Sequence, residues 1–132
     1  MKIYVSARYS RKFEIADVAE ALKLAGFEVT STWHEEPHDG TIEIHELTAD
    51  QRREYAARDL AEVDAAHILL LFSESDQTFN RRGGRHVEFG YALGVGKAIA
   101  VVGPQENIFH HLSWVKHHDT LEDFIMWATC GR

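Results

Sequence analysis

Two short apolar runs bracket a glycine-rich segment with a helical pattern, and that arrangement leaves few folds open. His67-Ile68-Leu69-Leu70-Leu71-Phe72 and Ala98-Ile99-Ala100-Val101-Val102 are unbroken and of strand length, as expected of parallel strands covered on both faces. Between them, Arg81-Arg82-Gly83-Gly84-Arg85-His86-Val87-Glu88-Phe89-Gly90-Tyr91-Ala92-Leu93-Gly94 reads as a glycine loop opening a helix. Strand, loop, helix and strand make a βαβ unit, and such sheets bind ligands beyond the carboxyl ends of their strands. Glu88 falls one turn inside the helix, where the dipole favours a negative charge. It is placed either to face a substrate or to be an ordinary solvated first-turn carboxylate, and spacing alone does not separate the two.

The rest of the chain repeats the alternation. Lys2-Ile3-Tyr4-Val5-Ser6 reads as a first, central strand. Arg11 to Ala25 carries apolar residues at helical spacing, with Gly26 as its stop. Phe27 to Ser31 reads as a second strand, and Thr32 to Leu47 as a long functional loop. Thr48 and Gln51 have the spacing of a capping box for a helix ending near Val63. A last strand lies near Val115 to His117, and Thr120 to Thr129 reads as a closing helix. The alternation predicts an α/β chain: a single three-layer α/β/α sandwich on a five-stranded parallel sheet. Right-handed crossovers give the flavodoxin- or Rossmann-like order 2-1-3-4-5. One rim would then collect Ser6, Arg8, Tyr9, Asp76, the arginine-glycine loop and Glu88.

Composition limits the partners. With 132 residues the chain is expected to form one domain. A net charge of -7 argues against a nucleic acid polymer or an anionic membrane as partner. Against that background Arg81, Arg82 and Arg85 suit a small anion. One cysteine, Cys130, and the lack of an apolar leader point to a cytoplasmic protein.

Further candidates lie on the same rim. Ser6-Ala7-Arg8-Tyr9-Ser10 offers hydroxyls and a guanidinium for a phosphate or carboxylate; Ser10 as a plain helix cap is compatible with that. Tyr9 is the candidate tyrosine for catalysis. Asp59 lies in the later half of its helix, where the dipole disfavours it; an ion pair with Arg58 or Arg52 is the plain reading. Trp33 and His34 open the long loop, as a platform for a base or as core. Gly83 and Gly84 let a ligand approach the backbone, with Arg82 and Arg85 beside it. Other motifs fail. His86-Val87-Glu88 has the H-x-E of zinc deaminases without their paired cysteines. Gly96-Lys97 lacks the rest of a phosphate-binding loop. The histidine spacings give no metal site, and no cofactor is implied.

Ile3-Tyr4-Val5-Ser6-Ala7-Arg8, Arg58-Asp59-Leu60 with Val63-Asp64-Ala65-Ala66, and Gly84-Arg85-His86-Val87-Glu88-Phe89-Gly90-Tyr91-Ala92 with Gly96-Lys97-Ala98-Ile99 occur in this order. In that combination the chain resembles the nucleoside 2-deoxyribosyltransferase-like family, which includes 2′-deoxynucleoside 5′-phosphate N-hydrolases. The resemblance spans most of the chain and implies a single domain of that type over residues 1–132. It implies cleavage of the bond between a base and C1′ of a sugar. Glu88 would be the nucleophile that forms a glycosyl-enzyme, and Asp59 would hold the sugar and move the proton at the base. Ser6-Ala7-Arg8 is similar to the hydrolases' grip on a 5′-phosphate, which favours a nucleoside 5′-monophosphate N-glycosidase. Arg82 stands where family members often have a small or acidic residue, and Cys130-Gly131-Arg132 replaces the transferases' C-terminal asparagine. The family implies a homodimer or larger homo-oligomer, with the segment from Glu106 to Trp114 as candidate contact. The alternatives are base exchange by a deoxyribosyltransferase and a nucleotide-binding or sensing module without turnover. A phosphoribohydrolase of the lysine-decarboxylase-like type ranks below both, since its glycine signature is half met.

Overall fold

The computed structural model describes residues 1–36, 47–75 and 83–130. Most of the expected Thr32 to Leu47 loop, together with Asp76, Arg81 and Arg82, lies outside the described residues. The elements are β1 (Lys2–Ser6), α1 (Lys12–Leu24), β2 (Glu28–Val29), α2 (Ala49–Ala65), β3 (Ile68–Phe72), α3 (Gly84–Gly94), β4 (Ala98–Val102), β5 (Val115–His118) and α4 (Leu121–Cys130). Short 3-10 turns occupy Tyr9–Arg11, Trp33–Glu35 and Ile108–His111. All strand pairs are parallel, in the order β2-β1-β3-β4-β5. No helix among the described residues is long and apolar enough to cross a membrane.

The central position of β3 explains its composition. All five of its residues are buried, and each large side chain there contributes about 1.5–3 kcal/mol by leaving water. Helices α2 and α3 share one face: the Tyr91 hydroxyl of α3 donates to both carboxylate oxygens of Asp64 on α2, at 2.9 Å. On the other face, Phe27 after α1 meets Phe124 of α4 with ring centroids 6.2 Å apart. These are the layers expected of the order 2-1-3-4-5.

Local signals act as their chemistry dictates, with two differences. Thr48 and Gln51 form the full capping box of α2. Gly26 stops α1 at φ 98°, and the Phe27 N–H reaches back to the Leu22 carbonyl at 3.0 Å, a closure that needs the left-handed region. Ser10 does not cap α1; it sits inside the 3-10 turn, and the N-cap is Arg11, without a side-chain bond. Strand β2 is two residues long, not the five from Phe27 to Ser31. Side chains complete the ladder instead: the Val5 N–H donates to Ser31 Oγ at 3.2 Å, and Trp33 Nε1 donates to the Val5 carbonyl at 2.8 Å. Both backbone groups of Val5 are thus satisfied from the side, so the chain can turn away from the sheet after Thr30.

Candidate active site

A strand sends alternate side chains to opposite faces, so Tyr4 and Ser6 of β1 point to the same layer. That layer holds α3, and Glu88 meets both. The Tyr4 hydroxyl donates to Glu88 Oε2 at 2.8 Å, and Ser6 Oγ donates to Oε1 at 2.7 Å. Gly83 caps α3 at φ 68°, ψ 9°, in the left-handed region that glycine enters without strain. Gly84 is the first helical residue. Glu88 therefore lies one turn in, over the carboxyl end of β1.

The Glu88 carboxyl is raised to about 7: burial pushes it up most, the hydrogen bonds from Ser6 and Tyr4 pull it down, and the nearby charge of Asp59 adds to the rise. Tyr4 is fully buried. Its pKa is raised by burial and then by the charge of Glu88, so it remains a protonated donor. The two hydroxyls thus favour the ionised carboxylate in a place that otherwise opposes it. Tyr4→Phe should move the titration midpoint of Glu88 upward by about one unit, because one donor to the charged form is gone. Titration of the Glu88 carboxyl carbon by NMR from pH 5 to 9 reads this shift, and an unchanged midpoint would contradict the assigned hydrogen bond.

Asp59 comes from α2. Arg58 grips its Oδ1 through Nε at 3.0 Å and Nη2 at 2.8 Å, and reaches Glu36 at 3.6 Å. The local ion pair expected from sequence is present. Asp59 also lies close enough to Glu88 and Tyr4 for its charge to raise both pKa values. Burial raises the Asp59 pKa, and the bonds from Arg58 oppose that rise. Glu62, one turn on, holds the chain beyond β2: it accepts from the Thr32 N–H at 3.0 Å and from the Thr32 hydroxyl at 2.7 Å.

Three expected site residues have other surroundings. Trp33 is 5 % exposed, with its indole N–H on the Val5 carbonyl and its ring 6.0 Å from Tyr9. Of the two readings that the sequence left open for Trp33, this burial matches the core one. His34 is buried beside it, with Nε2 3.0 Å from Ser31 Oγ. Tyr9 packs on this cluster, past the end of β1, and the tyrosine that reaches Glu88 is Tyr4. Arg85 likewise has a partner of its own. Its side chain is 5 % exposed and paired with Glu106, itself 8 % exposed. The guanidinium faces inward because the first turn of α3 packs on the loop after β4, so it anchors the helix and is not presented to an incoming anion.

Glu106 joins three segments. Besides Arg85 it approaches His86 Nε2 at 3.5 Å and accepts from the Glu74 N–H at 3.2 Å, while its own N–H donates to His110 Nδ1 at 3.0 Å. Glu106→Ala leaves a buried guanidinium without its carboxylate, which should lower stability by about 3–5 kcal/mol. Chemical denaturation measures this; a loss below about 1 kcal/mol would contradict a buried anchor. Ser6, expected to grip phosphate, gives its hydroxyl to Glu88, and Arg8 pairs with Glu74 at 3.3 Å.

Sequence reasoning missed Tyr4, Glu74 and Glu106. Tyr4 carried a signal, being two residues before Ser6 and so on its face, yet in an apolar strand a tyrosine reads as core. Glu74 and Glu106 sit in loops whose meeting depends on the sheet order.

No protein-family model matches the chain, and no curated protein matches it by sequence. Solved structures do. A 2-deoxyribosyltransferase from the psychrotolerant bacterium Bacillus psychrosaccharolyticus superposes with a TM-score of 0.74 at 17 % identity, over 95 % of this chain and 90 % of that one. The CMP N-glycosidase BcmB of Clostridium botulinum gives 0.60 at 17 % identity, over 97 % and 98 %. The chain has the fold of these two proteins.

Proposed function

We propose that this chain is a member of the nucleoside 2-deoxyribosyltransferase-like family and cleaves the N-glycosidic bond of a nucleoside or 2′-deoxynucleoside 5′-monophosphate. The observation that carries the reading is the pairing of Glu88, held at both oxygens by Tyr4 and Ser6, with a second carboxylate, Asp59, beside it. Two carboxylates in unlike surroundings are what retaining glycoside chemistry requires. The ionised Glu88 attacks C1′ while the bond to the base breaks, through an oxocarbenium-like transition state. Asp59 gives its proton to the departing base. Water then attacks C1′, gives its proton to Asp59 and frees Glu88 with the sugar configuration retained. Tyr4 and Ser6 hold the carboxylate in line and keep it ionised near neutral pH.

The phosphate preference rests on Arg8, two residues beyond Ser6 on the carboxyl rim, since the Ser6 hydroxyl is engaged by Glu88. A second reading, transfer of the sugar to another base, is favoured by the structural likeness to a 2-deoxyribosyltransferase. Incubation with each ribo- and deoxyribonucleoside 5′-monophosphate, followed by chromatography, tests the proposal through release of free base. A second base added to the mixture turns any transferase activity into a new nucleotide or nucleoside. No base release from any of them, with or without an acceptor, would leave a binding module without turnover. The proposed protein is cytoplasmic and a homo-oligomer, with Ile108, Phe109 and Trp114 exposed on the expected contact segment.

A further inference from the structure

We propose that Glu74 is a built-in counter-ion that competes with a substrate phosphate for Arg8, and so sets how strongly the site prefers phosphorylated substrates. The inference rests on the phosphate preference proposed above. Glu74 follows β3 on the carboxyl rim, and its side chain is 14 % exposed. Oε1 lies 3.3 Å from Arg8 Nη1, and Oε2 lies 2.9 Å from Arg11 Nη1. Its N–H is fixed by Glu106.

The two arginines differ in how firmly they are held. Arg11 also donates to the Ser73 carbonyl at 3.1 Å and forks onto both oxygens of Glu14, at 2.9 and 2.7 Å. Its guanidinium also lies over the ring of Phe72. Arg8 is 37 % exposed and touches Glu74 through one nitrogen at the longer distance. It also lies two residues beyond Ser6, whose hydroxyl is on Glu88. Glu74 can therefore stay on Arg11 while Arg8 turns to an incoming ligand. A phosphate brings more charge and more acceptor oxygens than one carboxylate, so it can displace Glu74. An uncharged sugar hydroxyl cannot. The tethered carboxylate weakens every phosphate that binds, because it is always present at high local concentration.

Glu74→Gln removes the competing charge and keeps an acceptor for Arg11, which retains Glu14. Two quantities test the idea at one fixed salt concentration: inorganic phosphate affinity by calorimetry, and the ratio of kcat/KM for a nucleoside 5′-monophosphate over its nucleoside. Both should rise about twofold to fivefold, the range for a partly exposed ion pair. Adding Arg8→Gln should erase the gain. If Glu74→Gln folds poorly, Glu74→Asp, too short to span both arginines, should move phosphate affinity in the same direction. Unchanged or weaker phosphate binding in the variant, no phosphate binding by either protein, or a gain that survives loss of Arg8 would overturn the assignment. The calorimetric arm needs no turnover, so a failure of N-glycoside cleavage and a failure of the Glu74 assignment give different results.

Discussion

Glu88→Gln should abolish base release, with kcat falling by at least about 10³-fold, because the amide cannot form the glycosyl ester. The same variant carries a second, opposite expectation. The folded protein holds the Glu88 proton up to about pH 7, against an ordinary value of 4.5 for a free glutamate. The native state therefore binds more protons than the unfolded chain between those two values. Stability falls as pH rises through that window, and ionising the buried carboxylate costs up to about 3 kcal/mol above it. Glutamine does not ionise. The variant should match the native protein in melting temperature near pH 4.5 and exceed it by several degrees at pH 8. Thermal melts across pH read this without substrate. Equal melting at pH 8 would mean that Glu88 is not buried as described.

Asp59→Asn should lower kcat by about 10²–10³-fold, the second largest effect. An asparagine has no proton to give the departing base. The loss should depend on the base: a substrate whose base departs readily without protonation should lose much less than one whose base does not. Asparagine is close in shape and leaves Arg58 with Glu36, so folding should survive. An equal loss for all bases would instead assign Asp59 to holding the sugar alone.

How much of this was legible in the sequence differs from residue to residue. The sheet was legible because unbroken apolar runs such as Ile68–Phe72 belong to strands covered on both sides, and the alternation with helices allows few orders. The place of Glu88 one turn inside α3 was legible through its spacing from Gly83 and Gly84, and the capping box of α2 through Thr48 and Gln51. The length of β2 was not, since Phe27 to Ser31 has strand composition throughout. The strand stops early because Ser31 and Trp33 satisfy Val5 from the side, which no local pattern reveals. The same contact turns Trp33 from a platform into core. The Arg85 pairing was hidden for a related reason: a cluster of arginines reads as a surface for anions until a partner such as Glu106 arrives from a loop about twenty residues away. Charge in sequence gives the sign of a site, and only packing decides which charges are already neutralised.

The central claim is a covalent bond between Glu88 and C1′. A 2-fluoro-2-deoxyribonucleoside 5′-monophosphate makes the test direct, because the fluorine destabilises the oxocarbenium-like transition state for hydrolysis, so the glycosyl-enzyme accumulates. Mass spectrometry of the acid-quenched protein should show the added mass of one fluorosugar phosphate, placed by peptide mapping on Glu88 and absent from Glu88→Gln. Release of one equivalent of free base with the protein mass unchanged, or an adduct on any other residue, would contradict the account.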